Sequence, residues 1–313
     1  MLSRPFLARC NDRNSLPASH PTSGSPEDWF SNENLAAHGL HGISFDFFVN
    51  WDVNPITLTP VVWIKRVLGS MYTYTQVIQN IGDVLTTEFG VSYLNTLKSF
   101  SNAYNLEVQF IVFRDDLDWS INTSEILLVN MLQGESCDLI FTHSLVSIES
   151  FKTSIRANSG GPVRIGPKGL IYGTSNLECY LSGTDSLYPG DVDMVILDFE
   201  NRPVCILEFK KHTLGSTIEN QRLSNYYPNS DRRKYDRLAV LRDLIGDIPI
   251  FIFYYPTRTE IARGKCELIG GVTGNLSARG CWYFDLPIND SKSEIDKVIN
   301  CLSKGIAYHN EIK

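Results

Sequence analysis

The stretch GDVDMVILDFENRPVCILEFKKH, residues 190–212, constrains the fold more than any other part of this chain. It holds two apolar runs, Met194–Leu197 (MVIL) and Val204–Leu207 (VCIL), joined by DFENRP. Short continuous runs of this kind mark strands covered on both faces. Asn201 and Pro203 are turn formers, so the pair reads as a hairpin. Downstream, DRRKYDRLAVLRDLIG (231–246) has Asp231 at a capping position, Leu238, Leu241 and Ile245 on one face, and Gly246 as a stop. IPIFIFYYP (248–256) reads as a buried strand. Strand, helix and strand in that order imply a parallel pairing with a right-handed crossover.

The rest of the chain alternates in the same way. Residues 43–49, 55–65 and 107–113 are rich in β-branched and aromatic residues and predict strands. Residues 73–90, with Val77, Ile81, Val84 and Leu85 at helical spacing, and 91–104 predict helices. The pattern further predicts a helix over 121–133, a strand over 137–142, a mostly extended 170–182 and an amphipathic helix over 291–306. The expected class is α/β, a mixed β-sheet with flanking helices. Residues 1–28 read as a flexible lead-in and 29–158 as an N-terminal α/β region for recognition, a partner or an extended sheet. Residues 159–313 read as the domain that carries the hairpin. The Gly- and Pro-rich stretch 156–169 is the expected connection; it lacks the GxxxxGK[ST] spacing of a phosphate loop.

Composition narrows the class. Hydrophobic residues are 43% and charged residues 20%, a globular balance. No run of 18 apolar residues occurs, so a membrane span is not expected, and the N-terminus lacks the apolar core of a secretory signal. The seven Cys form no CxxC pair, and that scatter predicts reduced thiols in a cytoplasmic protein. Net charge is −7, yet Arg202–Arg242 holds nine Lys or Arg against four Asp or Glu, a local +5 that leaves −12 elsewhere. No GxSxG elbow is present, which argues against a serine hydrolase.

Side chains alternate along a strand, so Glu208 and Lys210 share a face and Phe209 takes the other. Asp191 and Asp193 likewise share a face of the first strand, and pairing brings Asp193 beside Glu208. Two carboxylates that close repel unless a cation lies between them. Hard oxygen ligands favour Mg²⁺, with Mn²⁺ able to substitute. Lys210 would then orient a water or stabilise charge developing on a phosphate oxygen. Lys211, Arg222, Arg232, Arg233, Lys234 and Arg237 follow, with Arg233 and Arg237 one helical turn apart. Such a stripe suits a nucleic-acid backbone.

Over about 170–256 the chain resembles the PD-(D/E)xK nuclease superfamily, which has a restriction-endonuclease-like core. Asp193 matches the motif's Asp, Glu208 its acidic member and Lys210 its Lys; Val192 stands where the motif has Pro. The resemblance implies a Mg²⁺-dependent endonuclease of a restriction, defence or mobile-element kind, acting on DNA in preference to RNA. A homodimer would suit double-strand cutting. Asp191 remains an alternative ligand to Asp193, Glu178 or Glu125 could add a further acidic group, and Gln221 is an accessory position. The alternative is an inactive nucleic-acid-binding or regulatory module on the same scaffold.

Overall fold

The computed structural model describes residues 1–19, 24–121, 124–132, 138–166, 169–288 and 291–312. In chain order the first elements are the short strands β1 (Leu2–Ser3) and β2 (Ala8–Arg9) and the short helices α1 (Pro26–Trp29) and α2 (Asn32–Ala36). Strands β3 (Leu40–Asn50) and β4 (Thr57–Leu68) precede helices α3 (Tyr74–Gln79), α4 (Ile81–Phe89) and α5 (Val91–Ala103). Then come β5 (Glu107–Phe113), β6 (Glu125–Met131), β7 (Phe141–Ser147), α6 (Ile148–Asn158), β8 (Tyr172–Gly173) and α7 (Asn176–Ser182). The last stretch is β9 (Gly190–Asp198), β10 (Pro203–His212), α8 (Arg232–Ile245), β11 (Ile250–Pro256), β12 (Arg263–Val272), β13 (Asn275–Asp285) and α9 (Lys292–Ile312). The fold is mixed α/β. Among the described residues no helix is long and apolar enough to cross a membrane.

The chain forms two compact units that interleave in sequence: residues 1–17 with 45–191, and 18–44 with 192–313. In the first, the strand order is β3-β4-β5-β6-β7. β3 and β4 are antiparallel, the helices α3–α5 carry the chain over, β5 runs parallel to β4, and β6 and β7 each add antiparallel. Its core joins Phe48, Trp63, Phe113 and Trp119 to Phe151 and Ile155 of α6 and Leu177 and Leu181 of α7.

The second unit follows the same plan. β9 and β10 are antiparallel, α8 carries the chain over, β11 runs parallel to β10, and β12 and β13 each add antiparallel. Its core joins Met194, Ile196, Cys205 and Leu207 to Phe251, Phe253, Val298 and Leu302, with Trp29, Phe30 and Leu35 from α1 and α2. Each unit therefore repeats one sequence of elements and one set of strand directions.

Several expectations change. Residues 125–131 are the strand β6, not a helix, because Ile126, Leu127, Val129 and Met131 gain partners across β5 and β7 that outweigh a weak helical spacing. Residues 122, 123 and 133 of that expected helix lie outside the described residues. The expected extended stretch 170–182 ends in helix α7: the Ser175 hydroxyl accepts from Glu178 N at 3.1 Å, and Leu177 and Leu181, four apart, are both buried. The strand expected at 137–142 begins at Phe141. Residues 73–90 form two helices that meet at Asn80.

Residues read as a lead-in are tied down in part. Leu2 and Ser3 pair with β4, Ala8 and Arg9 pair with β8, and residues 20–23 lie outside the described ones. Cys10 and Cys179 are disulfide-bonded, Cα atoms 5.4 Å apart, which corrects the expectation of reduced thiols for this pair. Their separation of 169 residues carries no spacing signal. Cys205, Cys266, Cys281 and Cys301 are free thiols, and Cys137 lies outside the described residues, as do residues 167 and 168 of the expected connection.

Candidate active site

The hairpin forms as its composition dictates. β9 and β10 pair Ile196 with Cys205, Val195 with Ile206 and Met194 with Leu207, all buried. The strand pairing ends there, one residue short of Asp193 and Glu208. There the Asp193 Oδ2 accepts a hydrogen bond from the Phe209 amide at 2.5 Å, and the Asp193 carbonyl accepts from the Ser44 hydroxyl at 2.5 Å. The aspartate is thus held by backbone geometry as well as by its strand.

Glu208 is fully buried. An isolated carboxylate would not stay ionised there, and its counter-ion is Lys234 of α8, whose Nζ contacts Oε1. Lys210, on the same face of β10, donates from Nζ to Asp231 Oδ2 at 2.5 Å. Asp231 caps α8 without a side-chain bond to the helix backbone; its carboxylate serves the lysine instead. Burial raises the Asp231 pKa, but the Lys210 bond and charge outweigh it and leave the net shift downward. Two crossed ion pairs, Glu208–Lys234 and Lys210–Asp231, therefore join the strand to the helix start.

Tyr226 closes one side. Its ring centroid lies 4.2 Å from Lys210 Nζ, and its hydroxyl donates to Gln221 Oε1 at 2.5 Å. The segment that carries both is anchored by a buried pair: Lys265 Nζ donates to Gln221 O at 2.5 Å and to Glu267 Oε1 at 3.0 Å. Glu267 Oε2 in turn accepts from Leu223 N at 2.7 Å and Tyr254 Oη at 3.0 Å. Gln221 thus enters the neighbourhood of Lys210 through Tyr226.

One acidic residue was not legible in advance. The Tyr255 hydroxyl is pushed up by burial first and then by the charges of Glu27, Asp193 and Glu208. Glu27 stands at the start of α1, and the local signal was present: Ser25, Pro26 and Asp28 form a capping box with Pro in the first turn.

Asp191 and Glu178 belong to the first unit. There they act on Asp46 and Lys65, whose carboxylate and ammonium are 3.2 Å apart. Asp46 is pushed up to about 6, by burial above all, against the Lys65 charge and with Asp191 and Glu178 adding to the rise. Burial works against the Lys65 ammonium, but Asp46, Glu178 and Asp191 hold its pKa above the ordinary lysine value. Glu178 Oε2 also accepts from Thr174 N at 2.5 Å. Glu125 opens β6 as an exposed residue.

Of the basic set, Lys234 reaches the site directly. Arg232 pairs with Asp236 at 3.3 Å and is largely exposed; Arg222 and Arg233 are exposed, Lys211 and Arg237 half-buried. Among the described residues no three His, Cys, Asp or Glu side chains cluster as a ready metal site. Mg²⁺ takes only one or two protein carboxylates and keeps several waters, so Asp193 and Glu208 fit it as a donor set. No family model, curated protein or solved structure matches this chain.

Proposed function

We propose that the β9–β10 hairpin is the centre of a Mg²⁺-dependent nuclease with a restriction-endonuclease-like core, cutting DNA in preference to RNA. The observation that carries this reading is the Phe209 amide bonded to Asp193 Oδ2 at 2.5 Å, which holds Asp193 next to buried Glu208 in the strand, with Lys210 two residues on along the same face as Glu208. Bound Mg²⁺ would polarise the scissile phosphate and acidify a coordinated water. Asp193 and Glu208 would hold the ion. Lys210 would orient the attacking water or neutralise charge developing on a phosphate oxygen, with Tyr226 setting the position of its ammonium. Lys234 pairs with Glu208 and would be available to contact phosphate if a bound Mg²⁺ took over that charge. Arg233 and Arg237 extend the positive charge along α8 for the backbone on either side.

A second reading has its own support. The crossed pairs Glu208–Lys234 and Lys210–Asp231 already compensate both groups, as a scaffold that binds nucleic acid without turnover would require. The two readings separate in one experiment. Supercoiled plasmid and linear single- and double-stranded DNA and RNA are incubated in Mg²⁺, Mn²⁺ or EDTA with wild type and with Lys210→Ala. Cutting by wild type alone, abolished by EDTA, is the expected result. Binding without cutting by both favours the scaffold, and equal cutting by both refutes the site.

A further inference from the structure

Two ion pairs cross between β10 and the first turn of α8. Glu208 is fully buried and its Oε1 meets Lys234 Nζ, while Lys210 Nζ donates to Asp231 Oδ2 at 2.5 Å. Asp231 is the N-cap and Lys234 lies three residues on, so one helical turn supplies both partners. The two lysines are held differently. Lys210 is pinned from a second side by the Tyr226 ring, 4.2 Å from its Nζ, and its side chain is 22% exposed. Lys234 reaches the buried carboxylate along a side chain that is 35% exposed, and of the two it opens further to solvent.

The helix start adds an independent observation. α8 begins Arg232, Arg233, Lys234, with no acidic residue in its first turn. Positive charge there opposes the helix dipole, so the helix itself gives no reason for three cations in that turn. Asp236 answers Arg232 at 3.3 Å, and Glu208 answers Lys234. A lysine ammonium is a compact point charge on a flexible four-carbon stem. It can leave Glu208 for solvent by side-chain rotation, with α8 still wound.

A hard divalent ion and an ammonium seek the same carboxylate oxygens. Held together against one buried carboxylate they repel, and the low dielectric there strengthens the repulsion. The two are therefore alternatives at Glu208.

We propose that Lys234 is the site's own competing cation: its ammonium takes the place of an ion at Glu208, and a divalent ion is held there only when Lys234 has withdrawn to solvent. This rests on the nuclease reading of the hairpin and adds its regulation. The consequence is a threshold, with the site closed at low divalent-ion concentration and loaded where the ion outcompetes the lysine. Linkage makes the effect reciprocal: whatever Lys234 costs the ion, the ion costs the Lys234–Glu208 pair.

Two measurements on the full chain test it. In the first, Mn²⁺ is titrated calorimetrically into wild type, Lys234→Met, Lys234→Arg and Lys234→Met/Glu208→Gln, each checked for folding by circular dichroism. Lys234→Met is expected to bind Mn²⁺ at least about tenfold tighter than wild type, Lys234→Arg to stay within about threefold of it, and the double variant to lose the gain. Binding by Lys234→Met but not by wild type is the strongest form of that result. A lysine that only supported the fold would not restrain the ion, so equal or weaker binding by folded Lys234→Met overturns the proposal and leaves the metal site standing. Mn²⁺ bound by no folded protein of the set overturns the metal site itself.

The second measurement needs no variant. Wild type is acetylated with acetic anhydride, with and without saturating Mn²⁺, and the modified lysines are mapped by mass spectrometry. Lys234 is expected to react at least about fivefold faster with Mn²⁺ bound, and the exposed Lys297 of α9 at an unchanged rate. An unchanged rate at Lys234 while Mn²⁺ binds overturns the proposal, whether or not the variants fold.

Discussion

The two units use the same strand order but set their acids and lysines on different faces of it: Glu208 and Lys210 face the crossover helix α8, whereas Asp46 and Lys65 share the face packed by α6 and α7. At the end of the β9–β10 hairpin a buried carboxylate, Glu208, is compensated by Lys234 of α8. On the β3–β4 hairpin, Asp46 and Lys65 pair with each other at 3.2 Å beside Trp63, on the face packed by α6 and α7. The lesson is that a fold places a site without deciding its chemistry. Trp63 serves packing: removing a side chain like it costs about 3–5 kcal/mol.

Four measurements press on that contrast. The largest effect is expected in the second unit: Glu208→Gln and Lys210→Ala each lower the cleavage rate by about 10²–10⁴-fold with the fold retained, read by plasmid nicking beside circular dichroism. Asp46→Asn/Lys65→Met, with the rate within about twofold of wild type, completes the contrast; a loss like that of Glu208→Gln would make the two hairpins functional equals.

Next is the disulfide of the first unit. Cys10→Ser/Cys179→Ser removes a cross-link that closes a loop of 169 residues. Denaturant unfolding is expected to show a loss on the order of 5 kcal/mol, with hydrogen exchange rising first in the first unit. Equal loosening of both units would count against their independence.

A third effect follows from Asp46, raised from 3.8 to about 6. A raised carboxylate binds its proton more tightly in the folded than in the unfolded chain. Its contribution is therefore complete below about pH 4 and is lost as pH rises through about 6. The stability of Asp46→Asn relative to wild type should thus improve by on the order of 3 kcal/mol between those limits. Unfolding curves at pH 4 and pH 7 check this, and a flat difference removes the buried pair as the distinguishing feature of the first unit.

The smallest effect concerns the basic helix. Arg233→Ala and Arg237→Ala are each expected to weaken DNA binding uniformly across sequences and to reduce the slope of log affinity against log salt by about 1. An unchanged slope would mean that this face of α8 is merely solvated.

Several features were legible in the chain from local pattern alone. The hairpin 190–212, the helix over 231–246 and the strand 107–113 stand where apolar continuity and spacing put them, because each is specified by neighbours in sequence. Asp193, Glu208 and Lys210 share a strand end for the same reason: a period of two and a hairpin turn bring them there. Strand β6 and helix α7 were misread because the short apolar runs of each fit both periods, and the sheet partners or the cap decide between them.

The sequence by itself determined that this protein is α/β, that two doubly covered strands form a hairpin, and that an acid, an acid and a lysine meet at its end. Tertiary structure alone decided which groups answer them: Lys234 for Glu208, Asp231 for Lys210, Glu27 near Tyr255, and Asp191 and Glu178 drawn to Asp46 and Lys65. The repetition of one plan of strands in two units is likewise invisible in the residue pattern. The reason is physical. Local pattern sets which face of an element is apolar, whereas the partner of a buried charge is chosen by whichever elements pack over it, and those come from distant parts of the chain.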